Sequence, residues 1–448
     1  MFRNHKPVIQ LSDHFDYRRL LRFTFPSIVM LIFTSVYGVV DGFFVSNFAG
    51  KAAFTALNFI IPVLMIVSSA GFLLGTGGSA LIALTLGKGD TKKANSLFSM
   101  IVYLSMILGI GLTVLGILFL RPVASLLGAE GELLENCILY GRIILLATPA
   151  AILQYEFQCL FATAGKPQLG LTITVAAGLT NAFLDALFVA VFPWGLEGAA
   201  AATAIGQCVG GFLPLLYFSR QNHSLLRLTR TSFDGKALFK ICTNGSSELL
   251  SNISSSLVSI LYNIQLLRYA GEDGVAAYGV LMYVNFIFLS TYIGFSVGVS
   301  PVIGYHYGAG NQGELKSLLK KSLSLISAFA AAMLGSSLLL ARPLSVMFVG
   351  YDPKLLEMTL HAFSIYVFSF LFAGFAIFGS GFFTALNDGL TSALISSLRT
   401  LIFQVLAVLL LPLIWKLDGI WLSMVAAELL ATVAAGLFLM GKRKQYRY

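Results

Sequence analysis

Apolar residues occupy this chain in long runs, and short clusters of Gly, Pro and charged residues separate them. A helix of about 20 apolar residues crosses the hydrocarbon of a bilayer. On that measure the pattern predicts twelve transmembrane helices: 23–47, 54–86, 97–120, 133–164, 168–192, 197–219, 237–267, 276–307, 317–340, 355–386, 391–414 and 419–440. Several exceed one crossing and are expected to tilt or to project beyond the hydrocarbon. The loops left over are short, and no soluble domain is expected among them.

The pattern also repeats. Displaced by 221 residues, the chain meets itself. Ala49-Gly50 falls on Ala270-Gly271, Gly77-x-Ser79 on Gly298-x-Ser300, and Gly87-x-Gly89-Asp90 on Gly308-x-Gly310-Asn311. Ser96-Leu97 falls on Ser317-Leu318, Arg121-Pro122 on Arg342-Pro343, and Trp194-x-Leu196-Glu197-Gly198 on Trp415-x-Leu417-Asp418-Gly419. The fold class expected is an all-α polytopic membrane protein of about 12 transmembrane helices. They form two six-helix bundles, residues 1–222 and 223–448, joined in the basic loop 220–236. Six is even, so both halves enter from the same side and are related by a pseudo-two-fold along the membrane normal. Such a pair encloses a cleft that rocking exposes to one side and then the other. On architecture alone, a channel or a purely structural bundle remains open.

Composition sharpens this picture. Hydrophobic residues make up 57% of the chain and charged residues 11%, with a mean hydropathy of +0.85. A 448-residue protein facing water on all sides needs more charge than that. The net charge of +9 is a matter of loops. Of the 29 Lys and Arg, 21 fall on one set of alternate loops and tails, among them Arg3, Lys6, Lys92, Lys93, Arg227, Arg230 and Arg443. Six fall on the other set, and Arg142 and Arg399 lie inside helices. The positive-inside rule then puts both termini in the cytoplasm, and no nucleic-acid surface is needed to explain the charge. The polar, basic N-terminus lacks the order of a signal peptide, so the first span is expected to be retained. Cys137, Cys159, Cys208 and Cys242 form no CxxC pair and read as small core residues. There is no P-loop, HExxH or nucleophile elbow, so neither an enzyme nor ATP-driven transport is expected, and no cofactor.

Charges inside the hydrocarbon are expensive and point to function. They are Asp41, Arg142, Glu156, Asp185, Glu248, Arg399 and Glu428. Counted from the helix ends, Asp41 and Asp185 share the outer half of the first bundle. Asn181 lies one turn from Asp185, and Thr203 lies at similar depth. Two carboxylates, an amide and a hydroxyl suit a proton or Na⁺ site, since nearby carboxylates share protons and oxygen ligands suit hard cations. No other metal is expected. A static hydrogen-bond network is the plainer alternative. Pro26 and Pro62 interrupt the first two helices. Glu248, a third of the way into the seventh helix, and Glu156, on the fourth, are candidates for facing the cleft. Arg399 and Glu428 are placed to pair.

Taken together, these features resemble the multidrug and toxic compound extrusion (MATE) family of secondary exporters over nearly the whole length. The likeness rests on Pro26…Tyr37…Asp41, Gly87-Lys-Gly89-Asp90, Gly308-Ala-Gly310-Asn311, Gly165-Lys-Pro167, Asn181…Asp185 and Gly195-Leu-Glu-Gly198. It implies a V-shaped pair of bundles and H⁺ or Na⁺ antiport of amphipathic, cationic small molecules. It also implies a monomer in a prokaryotic inner membrane. In the branch with paired aspartates in the first bundle, the cation network corresponds here to Pro26, Tyr37, Asp41, Asn181, Asp185 and Thr203. Glu248 resembles a seventh-helix acid of another branch, whose partner aspartate in the tenth helix is absent here; that stretch has only Glu357 and His361. A lipid-linked precursor flippase of the same superfamily would need more bases in the cleft than Arg142 and Arg399. A channel would conduct without coupling.

Overall fold

The computed structural model describes residues 9–350 and 352–448, save the side chains of Val39 and Lys51. Arg3, Lys6 and the side chain of Lys51, counted above among the loop charges, lie outside the described residues. Among the described residues every regular element is helical. The spans are α1 Tyr17–Ala49, α2 Ala52–Gly87, α3 Thr91–Leu126, α4 as the bent pair Gly131–Leu146 and Thr148–Thr163, α5 Pro167–Val191 and α6 Gly195–Ser219. They continue with α7 235–270, α8 272–308, α9 Gln312–Val349, α10 Pro353–Ala385, α11 389–415 and α12 417–446.

Two of the reversals need no loop. The helical stretch 235–308 is broken at Gly271 (φ 64°). On either side of it the rings of Tyr262 and Tyr278 stack at 5.3 Å, where a straight helix would set them about 24 Å apart. The second break is at Lys416 (φ 51°), which brings Arg399 and Glu428 into contact.

The helices start earlier than hydropathy alone predicts. α3 begins at Thr91 because the Asp90 carboxylate caps the Lys93 N–H at 2.9 Å; α9 begins at Gln312 because Asn311 caps Glu314 at 3.1 Å. Both first turns are polar, so an apolar-run criterion skips them.

The 221-residue repeat is a repeat of backbone geometry. Left-handed residues recur at Gly50 and Gly271, at Gly89 and Gly310, and at Gly195 and Lys416. The break in α4 at Ala147 recurs in α10 within Val367–Ser369. The chain is thus two six-helix bundles, α1–α6 and α7–α12, related by a pseudo-two-fold.

The bundles meet along a seam on the side of the termini, where α2 packs on α7 and α8 and α1 packs on α8. A Cβ on Gly87 would strike the Tyr305 carbonyl, and one on Gly308 would strike that of Leu84. Leu84 and Tyr305 are themselves 221 residues apart, so the contact is made twice about the pseudo-axis. Gly77 and Gly245 pack against Ile241 and Leu73 with equal closeness. Such close helix crossings require residues without a side chain. Asn387 adds a polar tie from the second bundle, donating to the Ala80 carbonyl at 3.1 Å. The half of α2 farther from the termini barely touches α7 and α8.

Two extended segments brace this side. Before α1 the chain crosses to the second bundle, where Glu314 accepts from the Phe15 N–H at 2.9 Å and pairs with His14 at 2.6 Å. After α6, residues 220–234 lie along the first bundle. There the Arg227 N–H donates to Asn95 at 2.7 Å and the Thr229 N–H to Ser99 at 2.8 Å.

Candidate functional site

Four helices of the first bundle deliver a polar cluster to its interior, well away from the seam. α1 brings Asp41, α5 brings Asn181 and Asp185, α6 brings Thr203 and α4 brings Tyr140. The Thr203 hydroxyl donates to Asp41 Oδ1 at 3.4 Å, and Asn181 Nδ2 donates to Thr203 Oγ1 at 3.3 Å. Tyr140 reaches Thr203 and lies beside both carboxylates. The carboxyl of Asp185 faces that of Asp41. Asp185 is fully buried, Asn181 is 2% exposed and Asp41 8% exposed.

The balance of donors is what makes this cluster unusual. Both oxygens of Asp185 and Oδ1 of Asn181 are buried and accept no hydrogen bond. Each buried acceptor without a donor costs about 1–3 kcal/mol. Two facing carboxylates cannot satisfy one another while both are ionised. A proton held between them completes a hydrogen bond, and a Na⁺ ion completes an oxygen cage, because the available donors are carboxylate, amide and hydroxyl oxygens. No base stands among these residues to do either job.

The remaining predicted residues are placed differently. Tyr37 sits one turn below Asp41, its hydroxyl paired with Gln154 of α4. Pro26 does not join the cluster: it lies 15 residues earlier on α1, about 22 Å down the axis. There its neighbours Ser27 and Ile28 pack against Gly294 of α8. Glu156 does not face the cleft. It is fully buried within the first bundle, takes the Ser105 hydroxyl of α3, and lies under Gly75 of α2. Glu248 does lie between the bundles, beside a small cavity of about 20 Å³ lined also by Thr76, Ser79, Ser296, Ser300 and Thr384. That volume admits about one water. Arg142 is exposed. Arg399 and Glu428 form a bidentate pair, with Nε to Oε1 at 3.0 Å, Nε to Oε2 at 2.9 Å and Nη2 to Oε1 at 2.8 Å.

Tyr140 and Gln154 were missed because Tyr and Gln raise no alarm in an apolar run. The depth count that found Thr203 also finds Tyr140. Thr203 is eight residues into α6 and Tyr140 nine residues into α4, both entering from the same side.

Comparison with known proteins agrees with this architecture. The MatE family model matches residues 26–187 and again 249–410, one copy in each bundle. Multidrug export protein MepA of Staphylococcus haemolyticus is 26% identical over 416 residues, covering 92% of this chain and 90% of its own length. MepA of Staphylococcus aureus (strain NCTC 8325 / PS 47) is 24% identical over 422 residues, covering 94% and 92%. Two solved structures share the fold at 21% identity. An outward-facing multidrug resistance MATE family transporter of the MOP superfamily has a TM-score of 0.92, covering 99% of this chain and 100% of its own. A MOP superfamily transporter from Pyrococcus furiosus, described by its reversed pocket polarity, has a TM-score of 0.90 over the whole of both chains.

Proposed function

The chain belongs to the MatE family, and from that premise we propose that it is a cation-coupled antiporter exporting amphipathic, cationic organic compounds such as drugs or toxins. The coupling ion is H⁺ or Na⁺, and it acts at Asp41, Asn181, Asp185 and Thr203, with Tyr140 orienting Thr203. The membrane is a prokaryotic plasma membrane, and both termini are cytoplasmic, as the loop charges favour. The names of the staphylococcal relatives support the export of drugs.

One observation carries the reading: three buried acceptor oxygens in a two-carboxylate cluster have neither donor nor base. Such a cluster asks for a mobile cation. Loading the ion neutralises the cluster and favours whichever bundle conformation binds it better; unloading it favours the other. Export then runs on the ion gradient. The pairing of Arg399 with Glu428 works against the lipid-linked alternative, since it ties up one of the two bases such a ligand needs.

Asp41→Asn and Asp185→Asn test the assignment. Each is expected to lower gradient-driven export at least about tenfold while thermal stability in detergent is kept. Normal export by either folded variant would remove that residue from the site.

A further inference from the structure

The repeat sets the two bundles helix against helix: α1 with α7, α4 with α10, α5 with α11 and α6 with α12. In the first bundle these helices carry Asp41, Tyr140, Asn181 with Asp185, and Thr203. In the second they carry Tyr262, Tyr366, Arg399, and Ser423 with Glu428. Tyr262 stands 221 residues after Asp41. Its hydroxyl pairs with Ser423 Oγ at 2.7 Å. The side chains of Arg399 and Glu428 are only 12% and 3% exposed. The titratable groups around the pair are Glu248 and Tyr262 on α7, Tyr278 and Tyr292 on α8, and Tyr366 on α10. Arg399 is the one base of this group.

The two networks differ in charge balance. The first has two carboxylates and no base. In the second, the buried carboxylate of Glu428 is matched by a guanidinium that reaches both its oxygens, while Glu248 stands apart at the cavity between the bundles. A guanidinium does not deprotonate in a protein and holds a carboxylate in a fixed planar fork.

We propose that Arg399 is a tethered counter-cation. As a permanent part of the chain, it does for Glu428 what an exchangeable ion does for the carboxylates of the first bundle, at a level one to two turns nearer the termini, since Arg399 falls on Gly178 and Glu428 on Gln207 in the repeat. The second bundle therefore binds no exchangeable cation at its network, and the ion stoichiometry of coupling is set by the first bundle alone. This rests on the first network being the coupling site. Arg399 is a positioning residue here: it touches no ion or substrate, and it acts by keeping Glu428 neutralised. Removing it leaves a buried carboxylate that only a proton or a cation from solution can satisfy.

The experiment is made in the Asp41→Asn/Asp185→Asn background, so the first site is silent. Unfolding temperature is read in detergent with Na⁺ exchanged for choline at constant ionic strength, and across a pH series. The background sets the baseline, including any acid response of Glu156 and Glu248, and is expected to show no Na⁺-dependent shift. Adding Arg399→Met should create a Na⁺-dependent shift, an acid-side gain in stability beyond that baseline, or both, and further adding Glu428→Gln should return the protein to the baseline. A purely structural ion pair would lose stability in Arg399→Met without gaining cation dependence, and that result in a folded protein overturns the proposal.

Should Arg399→Met fail to fold, calorimetric titration of the unsubstituted protein decides. Exchangeable cation uptake is expected to vanish entirely in the Asp41→Asn/Asp185→Asn protein. Residual uptake that disappears in the joint Arg399→Gln/Glu428→Gln variant overturns the proposal. Residual uptake that survives that variant lies outside both networks, and overturns the coupling reading instead.

Discussion

Asp185 stands beside Asn181 and a second carboxylate, and no donor completes a hydrogen bond to either of its oxygens. The hydrogen bonds that form around it join Thr203 to Asp41, Asn181 to Thr203 and Tyr140 to Thr203. Tyr140→Phe removes one hydroxyl from that chain. A hydrogen bond is worth about 0.5–1.5 kcal/mol net, so the half-saturating ion concentration should rise about two- to tenfold with the fold intact. Ion-dependent transport kinetics check this, and an unchanged ion dependence would exclude Tyr140 from the site.

At the edge of the membrane, Asp388 makes a separate prediction. It caps α11 through Thr391 and accepts from Lys442 at 2.7 Å and Tyr446 at 2.8 Å. Burial works against its ionisation, but the hydrogen bonds from Lys442, Thr391 and Tyr446 outweigh it and hold the carboxyl below the usual range. Because its folded pKa is depressed, its contribution is present above the ordinary carboxylate range, near 4, and is lost as pH falls through the folded value. Asp388→Asn should cost about 1–2 kcal/mol at neutral pH. It should also flatten the acid limb of a stability–pH curve; an acid limb unchanged by the substitution would contradict the assignment.

The site was partly legible in the sequence because helix position fixes depth. Counting from the ends of α1, α5 and α6 brought Asp41, Asn181, Asp185 and Thr203 to one level. Counting says nothing about which face a residue occupies, which is why Glu156 was expected at the cleft and is instead held inside the bundle by Ser105.

Among the helices, the repeated glycines carry the strongest constraint. Gly87 and Gly308 are visible in the sequence as one member of a matched motif. Their task is visible only when α2 and α8 are brought together, where each lies on a backbone carbonyl of the other bundle. Gly87→Ala and Gly308→Ala should therefore act alike, because they disturb the two halves of one symmetric contact. Overpacking costs about 1–3 kcal/mol, charged here to the state in which the seam is closed. That shifts the equilibrium about 5- to 150-fold toward open-seam states. A cysteine at Ala83, beside the seam, should become correspondingly more reactive to a thiol reagent. Unequal or absent effects would argue that the seam does not part.

The turn glycines show the opposite balance of legibility. Gly50 and Gly271 were matched by sequence alone. Their positive φ explains the match, since a residue with a Cβ is strained there. The caps Asp90 and Asn311 were also matched, yet the polar first turns they start were left out of the predicted helices because hydropathy does not register a cap.

For the whole molecule, two bundles packed together on the side of the termini, with little contact between the far half of α2 and α7 or α8, fit one end of a rocking cycle. Whether that side is cytoplasmic is a question of topology. Cysteines at Lys93 and Gly235 should react with impermeant reagents only from the cytoplasm, and one at Gly131 only from outside; the reverse pattern would invert the orientation.

Export on this mechanism depends on an ion gradient that acts through the first bundle. The most direct test reconstitutes the protein in proteoliposomes with a fluorescent amphipathic cation and a matched anion, and imposes pH and Na⁺ gradients separately. The account predicts that at least one of these gradients drives the cation against its own concentration difference, and that the anion is moved poorly. Flux that only dissipates the dye gradient, indifferent to either ion, would contradict it, as would preferential movement of the anion.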